Sequence, residues 1–184
     1  MAQCARVFLE IKKAIGLCVQ KDLRTSALIL LYSGVDIAGW MHGKKHTVQE
    51  NFTAWVKAYM RPEKTLGCTA LDLYGARCGI VHTFTPGSTL QIKGKVRKVI
   101  YAWSPSRVVD LRKLTDFGAM SRQYVAVQGD ALIAAYGAGL DEFLNELSHL
   151  PSEQLEAIAL KLFTDIPTEQ VEGMKALAKA AGLP

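Results

Sequence analysis

Along the N-terminal half of the chain, apolar side chains recur at intervals of three and four, the period of helices buried on one side. Val7, Ile11, Ala14, Ile15 and Cys18 form the first stripe, with Lys12, Lys13 and Gln20 away from it, and predict a helix over 3–20. Asp22 is placed to cap a second helix, from about Leu23 to Met41. That run is apolar nearly all round, so it is expected at the centre, with Asp36 in its middle. Thr47-Val48-Gln49-Glu50 reads as a capping box opening a third helix, with Phe52, Trp55, Val56 and Tyr59 on its buried side and Arg61-Pro62 at its end. A fourth run, Cys68 to Pro86, puts Ala70, Leu73, Tyr74, Arg77, Val81 and Phe84 on one stripe, and Pro86-Gly87 cannot continue it.

Beyond Pro86 the pattern changes from period 3.6 toward period 2. Leu90-Gln91-Ile92 and Val96 to Trp103, joined by Lys93-Gly94-Lys95, predict a β-hairpin. Its longer strand would put Val96, Lys98, Ile100 and Ala102 on one face and Arg97, Val99, Tyr101 and Trp103 on the other. A short helix near Val108 to Leu114 and a strand at Tyr124 to Gln128 complete a small sheet, and Asp130 caps a helix to about Leu147. Leu132, Ile133, Tyr136, Leu140, Phe143 and Leu144 are its buried stripe. After a joint at Leu150-Pro151-Ser152, two short helices are expected at about 153–164 and 168–181, the first with Leu155, Ile158, Leu162 and Phe163 as its stripe. The fold class is therefore mainly α. A helical domain over 1–150 carries a small antiparallel β insertion at about 89–128, and 151–184 form a C-terminal helical extension.

With 184 residues, 49% of them apolar, the chain suits a single ordinary core, and no run reaches the roughly 18 apolar residues of a membrane span. Glu10, Lys12 and Lys13 interrupt the N-terminal apolar run, so no secretory leader is expected and the protein is placed in the cytoplasm, away from membranes. Cys4, Cys18, Cys68 and Cys78 show no paired short spacing and read as buried thiols. Cys78 and His82 offer only two metal ligands, so neither metal nor cofactor is expected. Charge is uneven: residues 1–88 hold 11 basic and 6 acidic side chains, 89–122 hold 8 and 2, and 123–172 hold 1 and 9. Such a block pattern fits a basic face that meets a polyanion, with Lys93, Lys95, Arg97 and Lys98 as its phosphate contacts.

Three ionisable residues, Asp72, Arg77 and His82, lie within the apolar fourth helix. A charge there needs a partner or a function, because an unpaired buried ion is costly. Asp36 is read either as bonded to a neighbouring hydroxyl or backbone group, or as the partner of Arg77 or His82. For Arg77 the structural alternative is a pair with a core acid such as Asp72. Arg77 and His82 are the candidate catalytic pair, with Asp72, Cys78 and Asp36 as supporting residues.

The spacing Arg, four residues, His, within LDLYGARCGIVHTF and downstream of LILLYSGVDIAGW, resembles the signature of the HEPN superfamily and an uncharacterised bacterial group within or beside it. That resemblance implies a helical, metal-independent endoribonuclease acting on single-stranded RNA. In it the RNA 2′-hydroxyl attacks the adjacent phosphate, His82 serves as the base and Arg77 as the donor to phosphoryl oxygens. It further implies a homodimer with a composite site, acting as a toxin or defence component opposite an antitoxin-like protein partner. Cys78 follows Arg77 where many active members carry Asn or Asp. This difference points to the alternative, a catalytically silent HEPN-like module that binds RNA or a protein partner.

Overall fold

The apolar stripes become helices in the computed structural model, which describes residues 2–43, 47–83 and 88–159, together with 173, 175, 177, 179 and 180. Helix α1 (Ala2–Gln20) buries Phe8 and Ile15 completely and lays Ile11 and Cys18 against the same core. Asp22 does not cap the next helix. It takes the left-handed conformation (φ 57°), and its carboxylate pairs with Arg24 at 2.7 Å. A short polar residue tolerates that backbone where the chain must turn sharply. The N-cap position of α2 (Arg24–His42) is Leu23, with no side-chain bond. Buried positions of α2, from Ala27 and Leu28 to Ala38 and Gly39, fall on one broad face, widened by the half-buried Leu30, Ile37 and Met41 rather than closing round the helix, and it packs on α1 and three later elements.

Thr47 and Glu50 form the expected box: the Glu50 N–H donates to Thr47 Oγ1 at 3.2 Å and the Thr47 hydroxyl to Glu50 Oε2 at 2.9 Å. Helix α3 (Val48–Trp55) then widens into one π-helical turn, Val56–Met60. An extra residue in a turn rotates the side chains beyond it about the helix axis, and here Trp55, Val56, Tyr59 and Met60 are all buried. Arg61 (φ 49°) reverses the chain into the short α4 (Pro62–Thr65), and α5 (Ala70–Thr83) lies between α2, α3 and the sheet.

The expected hairpin does not form. Leu90 to Ile92 belong to α6 (Thr89–Ile92), started by Ser88, whose Oγ accepts from the Gln91 N–H at 3.3 Å. Lys93-Gly94-Lys95 is the end of that helix rather than a hairpin turn. The Gly94 N–H donates to the Gln91 carbonyl and the Lys95 N–H to the Leu90 carbonyl, the Schellman pair, with Gly94 at φ 64°. A glycine between two lysines serves either turn, so the pattern alone does not choose between them. Strands β1 (Lys98–Ala102) and β2 (Tyr124–Gln128) pair in parallel, from Lys98 opposite Tyr124 to Ala102 opposite Gln128. Helices α7 (Pro105–Thr115) and α8 (Met120–Gln123) intervene. A helical crossover returns the chain to the end where it began, so the second strand runs with the first and the sheet is not antiparallel.

Alternation within the strands holds. Val99, Tyr101, Val125 and Val127 face the main core, while Ala102 and Ala126 meet Val108 and Leu111 of α7 on the other side. Helix α9 (Gly129–Ser148) is entered from Gln128 with no side-chain cap, so Asp130 sits in its first turn without capping it. Its stripe of Leu132, Tyr136, Leu140, Phe143 and Leu147 meets an aromatic cluster with Trp55 and Tyr59. Helix α10 (Ser152–Ala159) returns Leu155 and Ile158 to the same core. Leu162, Phe163 and most of the helix expected at 168–181 lie outside the described residues. The chain is mainly α with a small two-stranded sheet, and none of the described helices is long and apolar enough to cross a membrane.

At Gly139, helix α9 touches the π turn through backbone: an added Cβ would lie 2.9 Å from the Tyr59 carbonyl oxygen. Gly139→Ala should therefore destabilise by about 1–3 kcal/mol, because main chain cannot swing aside as a side chain does. Thermal melts give the check, and a gain in stability, as expected for an unconstrained helical Gly→Ala change, would contradict the contact.

Candidate functional site

Arg77 lies halfway along α5 and reaches across to Asp36 of α2. Its Nη2 is 2.6 Å and its Nε 2.8 Å from the same carboxylate oxygen, Oδ2. The side chains are 13% and 21% exposed, so the pair is shielded and ties two core helices together. Burial alone would lower the guanidinium pKa, but the bond to Asp36 outweighs it and the group is held more firmly cationic than usual. Of the expectations for Asp36, a partnership with Arg77 is observed. Asp72, suggested as the core acid for Arg77, pairs elsewhere.

Cys78 is half-buried, with its thiol in reach of both Arg77 and the Tyr74 hydroxyl. Burial, and then the neighbouring thiol, raise the Tyr74 pKa. Burial and then the Asp72 charge push the Cys68 thiol, on the loop before α5, up to about 12, so that sulfur stays protonated. His82 belongs to the last turn of α5 by its backbone, while its side chain lies outside the described residues, as do Phe84, Pro86 and Gly87.

Asp72 is 3% exposed and fully engaged. It closes a box with Thr69 at the start of α5: the Thr69 N–H donates to its Oδ2 at 2.9 Å and its own N–H donates to Thr69 Oγ1 at 3.0 Å. Arg97, just before β1, adds its backbone N–H at 2.8 Å and its guanidinium Nη2 at 2.7 Å. Burial raises the Asp72 pKa, yet the Arg97 side chain and the Thr69 and Arg97 amides outweigh it and leave it below the ordinary carboxylate value. Arg97 is thus a structural cation as well as a surface one.

Of the four expected phosphate contacts, Lys93 and Lys95 are exposed and Arg97 and Lys98 half-buried. They do not form one cluster. Lys95 and Arg97 line a cavity of about 440 Å³ together with Lys57 of the π turn and Arg122 of α8, with the acids Glu63 and Asp72 also on its wall. Lys93 and Lys98 are not on its wall. Arg122 carries a signal in the sequence, as the last cation of the basic block 89–122, whereas nothing marks Lys57 among the N-terminal lysines. A second polar cluster has no sequence signal: the Tyr59 hydroxyl donates to Glu146 Oε2 at 2.5 Å and lies 3.4 Å from His42 Nδ1. Among the described residues, no group of three His, Cys, Asp or Glu side chains is placed to hold a metal ion.

No protein-family model matches the chain, and neither do the curated proteins or the solved structures compared with it.

Removing one member of the Arg77–Asp36 pair strands the other charge. Arg77→Met or Asp36→Leu should each cost about 2–4 kcal/mol, the lower part of the buried-pair range because both side chains keep some exposure. The double variant should recover much of that loss, and a double-mutant cycle by urea denaturation reads the coupling. Asp72 gives a pH signature. Its folded-state pKa is depressed, so its stabilisation is present above about pH 4 and is lost as pH falls through the folded value. Asp72→Asn should be less stable than wild type at neutral pH, with the gap narrowing toward about pH 3. A gap that stays constant with pH would mean the carboxylate charge contributes nothing.

Proposed function

We propose that this protein is a catalytically silent, HEPN-like helical module that binds single-stranded RNA along the groove of Lys57, Lys95, Arg97 and Arg122. The convergence of these cations carries the reading. They arrive from three separate stretches: Lys57 from the π turn, Lys95 and Arg97 from the α6–β1 loop, and Arg122 from α8. Asp72 is already matched by Arg97, so among the described residues Glu63 is the one further acid on the wall and their lining is net positive. A phosphate chain is the ligand whose repeated charge suits such a spread of cations. Arg77, which the cleavage chemistry needs aimed at a phosphate, has its guanidinium on Asp36 instead, and this favours binding over catalysis.

The ribonuclease implied by the HEPN resemblance is the second reading. In its favour, Arg77 and His82 share the last two turns of α5, at the spacing that the resemblance describes. It asks for a homodimer that brings two such helix ends together.

Binding of a single-stranded RNA, measured against salt, tests the first reading. The triple variant Lys57→Gln, Lys95→Gln, Arg122→Gln should bind at least about ten-fold more weakly and flatten the log–log salt slope by about two units, near 0.7 per lost phosphate contact. Arg97 is left in place because it holds Asp72. An unchanged slope would mean that the groove is only solvated surface. Incubation of wild type with the same RNA in EDTA should leave it intact. Cleavage that disappears in His82→Ala, by a protein that light scattering shows to be a dimer, would replace binding with catalysis.

A further inference from the structure

At the opposite end of the sheet, where β1 gives way to α7, lies a cavity of about 590 Å³ lined by Arg24, Tyr101, Trp103, Arg107, Asp110 and Leu111. That volume suits a small molecule, and the carboxyl end of a parallel strand is where open α/β units place their ligands. The walls divide by chemistry. Trp103, Leu111 and Leu114 give an apolar side. The Trp103 ring is set directly on the α9 entry, where a Cβ added at Gly129 would stand 2.7 Å from it, so the indole is fixed in position. The Arg24 guanidinium lies over that ring, 5.4 Å from its centroid. Its partner Asp22 is 77% exposed, and a surface pair of this kind exchanges readily for a stronger anion.

Arg107 adds a second guanidinium from the first turn of α7. The helix end itself supplies little: Pro105 has no N–H, the Arg107 N–H is taken by Ser104 Oγ at 3.3 Å, and the Val108 N–H by the Ser104 carbonyl. Positive charge in the cavity therefore comes from the two arginines. Asp110, the one acid on the wall among the described residues, accepts hydrogen bonds and suits a sugar hydroxyl.

A ring-bearing phosphate ester with free hydroxyls matches all three walls, and we propose that this cavity binds a nucleotide, base against Trp103 and phosphate between Arg24 and Arg107. The same chemistry is offered by a free mononucleotide and by the 5′-phosphorylated end of an RNA strand. The site is separate from the Lys95–Arg122 groove and does not depend on it.

Titration calorimetry with AMP tests the proposal. AMP should bind saturably, with adenosine and inorganic phosphate each at least about ten-fold weaker. Arg107→Gln and Arg24→Gln should each weaken AMP about ten-fold while leaving the ligand-free melting temperature unchanged, since both side chains are exposed. The triple groove variant should bind AMP as wild type does. Tighter binding of a 5′-phosphorylated than a 5′-hydroxyl RNA, lost in Arg107→Gln, would identify the strand end as the source; AMP binding with no such preference would identify the free nucleotide. No saturable binding of AMP or 5′-phosphorylated RNA up to about 1 mM, or full binding in the double arginine variant, overturns the proposal whatever the groove does.

Discussion

A carboxylate at 3% exposure must have every lone pair answered, and the way Asp72 is answered sets the layout of the molecule. The Thr69 amide and hydroxyl start α5, and Arg97 brings the chain that becomes β1 to the first turn of that helix. Half-way along the same helix Arg77 fastens it to α2. One helix is thus held by ions at its beginning and its middle, against a sheet on one side and the most buried helix on the other. Apolar packing alone would let α5 slide or rotate, because its buried faces are small and rich in alanine and glycine. The two ion pairs fix its register, at a desolvation cost that their short, two-pronged geometry offsets.

Much of this is legible in the sequence, and the exceptions have definite physical causes. Long stripes specify their helices, and the bounds of β2 are plain because Tyr124 to Gln128 is a short β-branched run between polar neighbours. Ambiguity enters where one residue type serves two structures. Gly94 between lysines marks a hairpin turn and a helix C-cap equally, and only the carbonyls it meets decide. Strand direction is hidden because the apolar pattern marks only a short, local α7, whereas its eleven residues carry the chain back along the sheet. The polar centre is half visible: three ionisable groups in an apolar helix announce ion pairs, but not which acid belongs to which arginine. Asp72 is closer to Arg77 in sequence, yet it stands at the N-terminal turn, where the helix itself needs an acceptor.

The uneven charge along the chain acquires a spatial meaning. Acids of α9 are engaged by cations of the N-terminal half, Asp141 by Lys12 at 2.8 Å and Glu142 by Arg61 at 2.6 Å. The block 89–122 contains only Asp110 and Asp116 against its eight cations. Two ion pairs thus join the outer blocks in the fold, while by sequence the middle block, wound around the sheet, carries a net excess of six cations.

The two-stranded sheet has a further consequence. Its five residue pairs form only after the whole of α7 and α8 has been made and folded over. Each end of that ladder borders one of the two basic cavities, so neither cavity exists in a chain whose strands have separated. A polyanion held at either end would then act as a clasp on the crossover, and its binding free energy would appear as protection of the β1–β2 amides from hydrogen exchange. Occupancy at one end would favour occupancy at the other through nothing more than the shared, marginal stability of the strands between them.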